Sequence, residues 1–199
     1  MTDWDARYTE QGWAFGTEPN DFLREQADQL PPGRVLCLAE GQGRNAVWLA
    51  QRGHDVTAVD QSAVGLRDAH RLAAERGVTI TTVRSDLDEY AIEPGAWPGI
   101  VSIYAHVDGA LRARVHARVE RGLAPGGVFV LEAYRPEQIG RGTGGPPEDD
   151  RMVNLERLRR ELPSLEFVIA REIDREVLEG HRHHGMSSVV QLVARRRPT

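Results

Sequence analysis

Short runs rich in Val and Ile alternate with segments of helical periodicity, and that alternation constrains the fold of this chain more than anything else in it. The pattern predicts strands over Val35–Leu38, Asp55–Val59, Val78–Val83, Ile100–Tyr104 and Val128–Tyr134, with helices over Arg44–Gln51, Ala63–Arg76 and Ala110–Arg121 between them. Strands separated by crossover helices can pair only in parallel, so the class is α/β. After Tyr134 the rhythm changes. A Gly/Pro-rich stretch, "RPEQIGRGTGGPPEDDR", leads into "NLERLRREL", a helix that Asn154 can cap. Two alternating runs follow, "LEFVIAREIDREVLEG" and "MSSVVQLVARR", and they read as an antiparallel hairpin added at the sheet edge.

A chain of 199 residues with 40% apolar content is expected to form a single domain, residues 1–199. Its formal charge of −5 argues against a sequence-independent grip on nucleic acid, which requires a basic footprint. All 25 basic residues are arginine, so neither a phosphate-loop lysine nor a Schiff-base lysine is available. Cys37 is the sole cysteine, which rules out an internal disulfide and a Cys-x-x-Cys site. With no apolar stretch near membrane-span length and a polar start, "MTDWDARYTEQGW", the expectation is a cytoplasmic protein, monomer or homodimer, whose partner is a small molecule and neither a membrane nor a nucleic acid. The terminal "ARRRPT" is expected to be a solvated tail.

The stretch "VLCLAEGQGRNAVWLAQRGHDVTAVDQS" places a G-x-G-x-x-A loop, Gly41, Gly43 and Ala46, between a strand and a helix. Glycines there let a ligand approach the backbone, and Asp60, ending the second strand, has the spacing of a carboxylate that accepts hydrogen bonds from ribose hydroxyls. Together they predict an adenosine site, and the expected contacts extend to Asn45, Gln61 and Ser62. The same residues also allow a blander account, in which the glycines serve tight turns and Asp60 caps the next helix. NAD and S-adenosylmethionine both present an adenosine. A dehydrogenase also needs a pyrophosphate at the helix N-terminus and normally a substrate domain, whereas this sequence continues after its fifth strand only into one hairpin.

Read end to end, the chain resembles class I S-adenosylmethionine-dependent methyltransferases, and among them the branch of the tellurite-resistance and thiopurine methyltransferases. The resemblance rests on "WDARYTEQGWAFGTEPNDFL", "GQGRNAVWLAQRGHDVTAVDQS", "GLAPGGVFVLEAY", "GTGGP" and "EGHRHHGMSSVVQLVARR". It implies a three-layer, Rossmann-like, doubly wound sheet of seven strands with the last strand antiparallel, and S-adenosylmethionine as the cofactor. It also implies that residues 1–20 form an aromatic lid, with Trp4 and Trp13 by the cofactor, Arg7 pairing with its carboxylate and Phe15 toward the substrate. An alternative for these aromatics is to staple the segment to the outside of the sheet. Asp86 is implied near the adenine amino group with Leu87 packing on the ring, while a helix-cap role for Asp86 stays open.

Two positions depart from the common pattern of that class: Cys37 replaces the usual acid of the first strand and Ala39 the usual glycine. Glu40 offers a replacement carboxylate for the cofactor's amino group, and a cap or a salt bridge to Arg44 competes with that role. Tyr104 and His106, after the fourth strand, face the methyl-transfer position in this fold, which makes them the candidate catalytic pair, His106 as general base or substrate positioner. A structural histidine remains the alternative. Tyr134, His181 and His184 are the further substrate-pocket candidates, and no metal is expected at "HRHHG", since no spacing there completes a ligand set. The implied chemistry is direct transfer to a small acceptor, such as a thiol, a tellurium or selenium oxyanion, or a halide. The competing functions are an NAD(P)-dependent reductase and a non-catalytic S-adenosylmethionine sensor.

Overall fold

The computed structural model describes residues 3–9 and 12–198, so residues 1, 2, 10 and 11 of the N-terminal segment, and Thr199 of the tail, lie outside the described residues. Among the described residues seven strands form one sheet: β1 Arg34–Leu38, β2 Asp55–Asp60, β3 Thr81–Arg84, β4 Trp97–Ile103, β5 Leu123–Tyr134, β6 Leu165–Glu179 and β7 His183–Arg196. Their order is β3-β2-β1-β4-β5-β7-β6. β1 to β5 pair in parallel, and β7 runs antiparallel to both β5 and β6. The last strand is therefore slotted inside the sheet, leaving β6 at the edge.

Helices α3 Arg44–Gln51 and α4 Ala63–Glu75 cover one face, and α5 Gly109–Gly122 and α6 Leu155–Glu161 cover the other. The period of two along β1 explains how both faces fill. Val35 and Cys37 join Leu49, Leu72 and Phe22 on one side, while Leu36 and Leu38 join Val119, Leu158 and Phe129 on the other. Cys37 is fully buried in the first of these layers, and burial pushes its thiol pKa up, so it is an inert packing group. Cys37→Ser is expected to cost about 1–3 kcal/mol, because the hydroxyl is buried where a thiol needed no partner. A urea unfolding curve checks this; an unchanged midpoint contradicts it.

Several boundaries differ from expectation. Val78 does not begin β3, because Gly77 turns at φ +69° and the Val78 N–H closes the end of α4 on the Ala73 carbonyl. The Pro125-Gly126-Gly127 turn falls inside β5 as a bulge between the pairs Trp97–Leu123 and Gly99–Val128. Two short helices, α1 Trp4–Thr9 and α2 Asp21–Gln26, precede β1. At six residues each they are too short to show an apolar period.

Strand order reverses between β1 and β4, and such a switch point opens a crevice at the carboxyl ends of the strands. Ala39 and Tyr104 stand at those two ends with φ of +50° and +54°. This left-handed backbone explains why a glycine is usual at position 39, and alanine there costs about 1–2 kcal/mol of strain.

Candidate functional site

A cavity of about 360 Å³ occupies that crevice. Its wall includes Trp4, Arg7 and Phe15 from the N-terminal segment, Glu40 and Asn45 from the glycine loop, and Asp60, Gln61, Asp86 and Leu87 from the ends of β2 and β3. Tyr104 and His106 close the far end. The structure thus brings these eleven sequence candidates around one space.

Seven others do not line it. Gly41 faces Tyr8, whose hydroxyl would lie 2.3 Å from any Cβ placed there, and Gly43 faces Ala69 of α4, 2.5 Å from such an atom. Both glycines therefore admit a neighbouring part of the protein, where close approach of a ligand was expected. Trp13 lies against the helix-covered core with the Arg71 guanidinium 4.8 Å above its ring. Ser62 caps α4 by accepting from the Gly65 N–H at 2.9 Å and gives its own hydroxyl proton to Asp5 at 2.5 Å. That second bond, with Val64 N–H donating to the same Asp5 oxygen at 3.2 Å, docks α1 on the start of α4. Tyr134 is fully buried behind the wall, its ring stacked on His106 at 5.4 Å and 8°. His181 sits exposed in the hairpin turn, and His184 points to solvent.

His183 takes the place expected for them. β7 begins at His183 opposite Glu179, and the two-residue period of a strand then turns His183 inward and His184 outward. Its ring stands 4.5 Å from Phe15 and 4.7 Å from Tyr104. Gly144 and Gly145 of the "GTGGP" segment lie on this cluster, and a Cβ at Gly144 would meet the Tyr134 hydroxyl at 2.8 Å and His183 at 2.9 Å.

Beneath the cavity runs a buried ionic network. Glu179 accepts from Arg44 at 2.6 Å, from Asn20 at 2.7 Å and from Arg175 at 3.3 Å. Glu132 accepts from Arg175 and from the Tyr104 hydroxyl at 2.7 Å each, from Asn20 at 2.8 Å, and from Gln191. Burial works against ionising Glu179, but Arg44 beside it overrides that cost and holds the carboxyl at about 2. Asn20, Arg175 and Glu179 were not singled out from the sequence, and Arg44 was weighed only as a salt-bridge partner for Glu40, where the structure pairs it with Glu179; these partners lie far apart along the chain.

The polar groups along the cavity form a graded set. Asp60 receives the Gly41 and Ser62 N–H groups at 2.8 Å each, and a carboxylate has further lone pairs to offer. Burial raises its pKa, while those two N–H bonds oppose the rise. Glu40 uses Oε1 as the cap of α3, accepting from Asn45 N–H at 2.9 Å and Ala46 N–H at 2.8 Å. Its Oε2 has no hydrogen-bond partner among the described residues. Burial pushes the Glu40 pKa to about 7. Arg44 also lines the cavity, and its Nη1 is buried without a partner among the described residues. Asp86 caps its own turn through Asp88 N–H at 2.7 Å while lining the wall. Among the described residues, no cluster of three or more His, Cys, Asp or Glu is placed to hold a metal ion.

Comparison with known proteins places this geometry. Residues 35–127 match a family model described as a methyltransferase domain. A 2-heptyl-1-hydroxyquinolin-4(1H)-one methyltransferase from Mycobacteroides abscessus is 24% identical over 137 residues, covering 67% of this chain and 60% of the relative. The chain thus spans 60% of that relative's length. Among solved structures, TehB from Haemophilus influenzae superposes with a TM-score of 0.72 at 19% identity, over 89% of this chain and 62% of that one. An S-adenosylmethionine-dependent methyltransferase from Clostridium acetobutylicum gives a TM-score of 0.67 at 14% identity, over 89% and 90% of the two chains. The fold is that of the class I methyltransferases, and the fold together with the matched domain implies S-adenosylmethionine as cofactor. The donor set fits that molecule: Asp60 offers lone pairs for ribose hydroxyls, Glu40 Oε2 an acceptor for an ammonium, and the orphaned Arg44 Nη1 a donor for a carboxylate.

Proposed function

We propose, taking the methyltransferase domain of residues 35–127 as premise, that this chain transfers a methyl group from S-adenosylmethionine to a small-molecule acceptor. One observation carries the reading: Asp60, Glu40 and Arg44 line a single cavity, in keeping with a nucleoside and an amino acid, and that cavity ends at the cluster of Tyr104, His106 and His183. When bound, the cofactor supplies an electrophilic methyl on a sulfonium.

The residues of this chain bind, orient and exclude water. Asp86 and Leu87 flank the adenine, and α1 closes over the cofactor, with Trp4 and Tyr8 stacked at 5.6 Å supplying aromatic faces that attract a cation. An in-line displacement gains most from alignment in a closed, dry site. The cavity lies at the small end of ligand pockets, so a cofactor of drug size leaves room for only a small acceptor. A relative named for a small heterocyclic acceptor supports the same class. Small thiols and tellurium or selenium oxyanions are the acceptors implied by the tellurite-resistance and thiopurine branch that the sequence resembles. A screen of small acceptors for release of S-adenosylhomocysteine tests the activity; release with none of them while the cofactor binds would favour a sensor.

Glu40 gives this reading a pH signature. Its carboxyl ionises near pH 7, so cofactor affinity should rise as pH increases from about 6 to 8 and the carboxylate forms beside the ammonium. Because the folded pKa lies above the unfolded one, the native state holds the extra proton, and stability falls as pH rises from about 4.3 to 7. Glu40→Gln keeps an oxygen for the cap of α3. It should abolish the rise in affinity seen by calorimetry and raise the melting temperature at pH 8 but not at pH 4. A variant that retains the wild-type pH dependence of affinity would remove Glu40 from the cofactor site.

A further inference from the structure

The substrate end of the cavity displays lone pairs in place of protons, and this follows from what stands behind each group. His106 Nδ1 lies 3.2 Å from the Arg151 carbonyl oxygen. A carbonyl can only accept, so Nδ1 carries the hydrogen and the neutral ring has its lone pair on Nε2. That Nε2 is buried without a partner among the described residues, and the ring is held by its stack on Tyr134. Burial keeps the imidazole neutral, with a pKa of about 3. Tyr104 gives its hydroxyl proton to Glu132 at 2.7 Å, which leaves only oxygen lone pairs for anything in the cavity. His183, also kept neutral by burial, has Nδ1 3.9 Å from the Glu179 carboxylate, and that field favours the hydrogen on Nδ1 and the lone pair on Nε2. Of the nearby cations, Arg44 pairs with Glu179 through Nη2 and keeps Nη1 for the cofactor carboxylate on the methyltransferase reading, Arg7 lies over the Trp4 ring at 4.8 Å, Arg151 pairs with Glu148 at 3.8 Å, and Arg182 has a further interaction.

An oxyanion or a halide entering this end would lose its hydration and meet lone pairs, a costly exchange. A nucleophile bearing a hydrogen finds acceptors for it. On the methyltransferase reading, the geometry points to an acceptor that carries a proton on its nucleophilic atom, an S–H, O–H or N–H group bound by His106 Nε2 and Tyr104 Oη. In the transfer, the bond between that atom and the methyl carbon forms as the carbon–sulfur bond breaks, and the electron pair of the broken bond goes to sulfur. The proton passes to His106 Nε2 and from there to water, so one proton is released per methyl transferred. The attacking atom's hydrogen becomes strongly acidic as the new bond forms, so a base as weak as His106 can take it. The inference selects thiols over tellurium and selenium oxyanions.

Two sets of probes test it, with released S-adenosylhomocysteine as readout: 2-mercaptoethanol, catechol and aniline against iodide, selenite and tellurite. Turnover is expected only in the first set. His106→Phe should lower kcat by about 100-fold or more and Tyr104→Phe by about 10-fold, each with KM for S-adenosylmethionine within about twofold. Turnover of the anions at a rate equal to the protonated probes, or wild-type kcat in His106→Phe, overturns the proposal. The tautomer decides it independently of any substrate. Long-range ¹H–¹⁵N correlation spectra, with His106 assigned by its loss in His106→Phe, should show the Nδ1–H form, and an Nε2–H form overturns the proposal even if no probe is methylated. Calorimetry separates the two failures: an Nε2–H tautomer with S-adenosylmethionine still binding sinks this inference alone, and no binding sinks the methyltransferase reading.

Discussion

Glu179→Leu is expected to destabilise the protein by about 3–5 kcal/mol, lowering the melting temperature by on the order of 10 °C. The size comes from what the substitution leaves behind. Arg44 and Glu179 are each more than nine-tenths buried, and without the carboxylate the Arg44 guanidinium becomes an uncompensated charge in the interior. Arg175 and Asn20 lose a partner in the same step. Glu166→Leu, at an exposed position on the same strand, provides the control and should shift the melting temperature by little. The acid limb gives a second signature. The Glu179 pKa in the folded state lies at about 2, below its unfolded value, so its contribution is present above about pH 4.3 and lost as pH falls toward 2. The wild type should shed that stability over this window and Glu179→Leu should not. Equal shifts for the two variants would show that the network carries no stability.

Asp60→Ala should weaken S-adenosylmethionine binding by about 100-fold, the equivalent of one or two hydrogen bonds to a charged group. The side chain does two things at once. It fixes the glycine loop to the start of α4 by receiving the Gly41 and Ser62 N–H groups, and its remaining lone pairs are the ones available to ribose hydroxyls. Isothermal titration measures the change directly. An unchanged dissociation constant would mean that Asp60 is only a turn-former, the blander account that the sequence left open.

Strands β1, β2, β4 and β5 were legible because a parallel strand buried on both faces writes an almost continuous apolar run, and the glycine loop with Asp60 fixed the place of the crevice. What stayed hidden shares a physical cause. Which of the hairpin histidines faces inward depends on the residue at which β7 starts, and a shift of one residue in a strand reverses the answer. The contact between Arg44 and Glu179 joins residues 135 apart in sequence, set by β7 lying between β5 and β6. The aromatics of the N-terminal segment were readable as a group, but only the three-dimensional structure separates Tyr8, which α1 packs on Gly41, from Trp13, which stands under Arg71. For Glu40 the sequence offered a cap or a ligand for the cofactor's amino group. The structure assigns its two oxygens separately: Oε1 caps α3, and Oε2 stays available.

Calorimetric titration of the protein with S-adenosylmethionine and, separately, with NADH at pH 8 tests the central claim most directly. Saturable binding of S-adenosylmethionine at one site per chain, with no heat of binding for NADH, is the predicted result. Binding of NADH without binding of S-adenosylmethionine would contradict it, and would turn the crevice at the ends of β1 and β4 into a dinucleotide site.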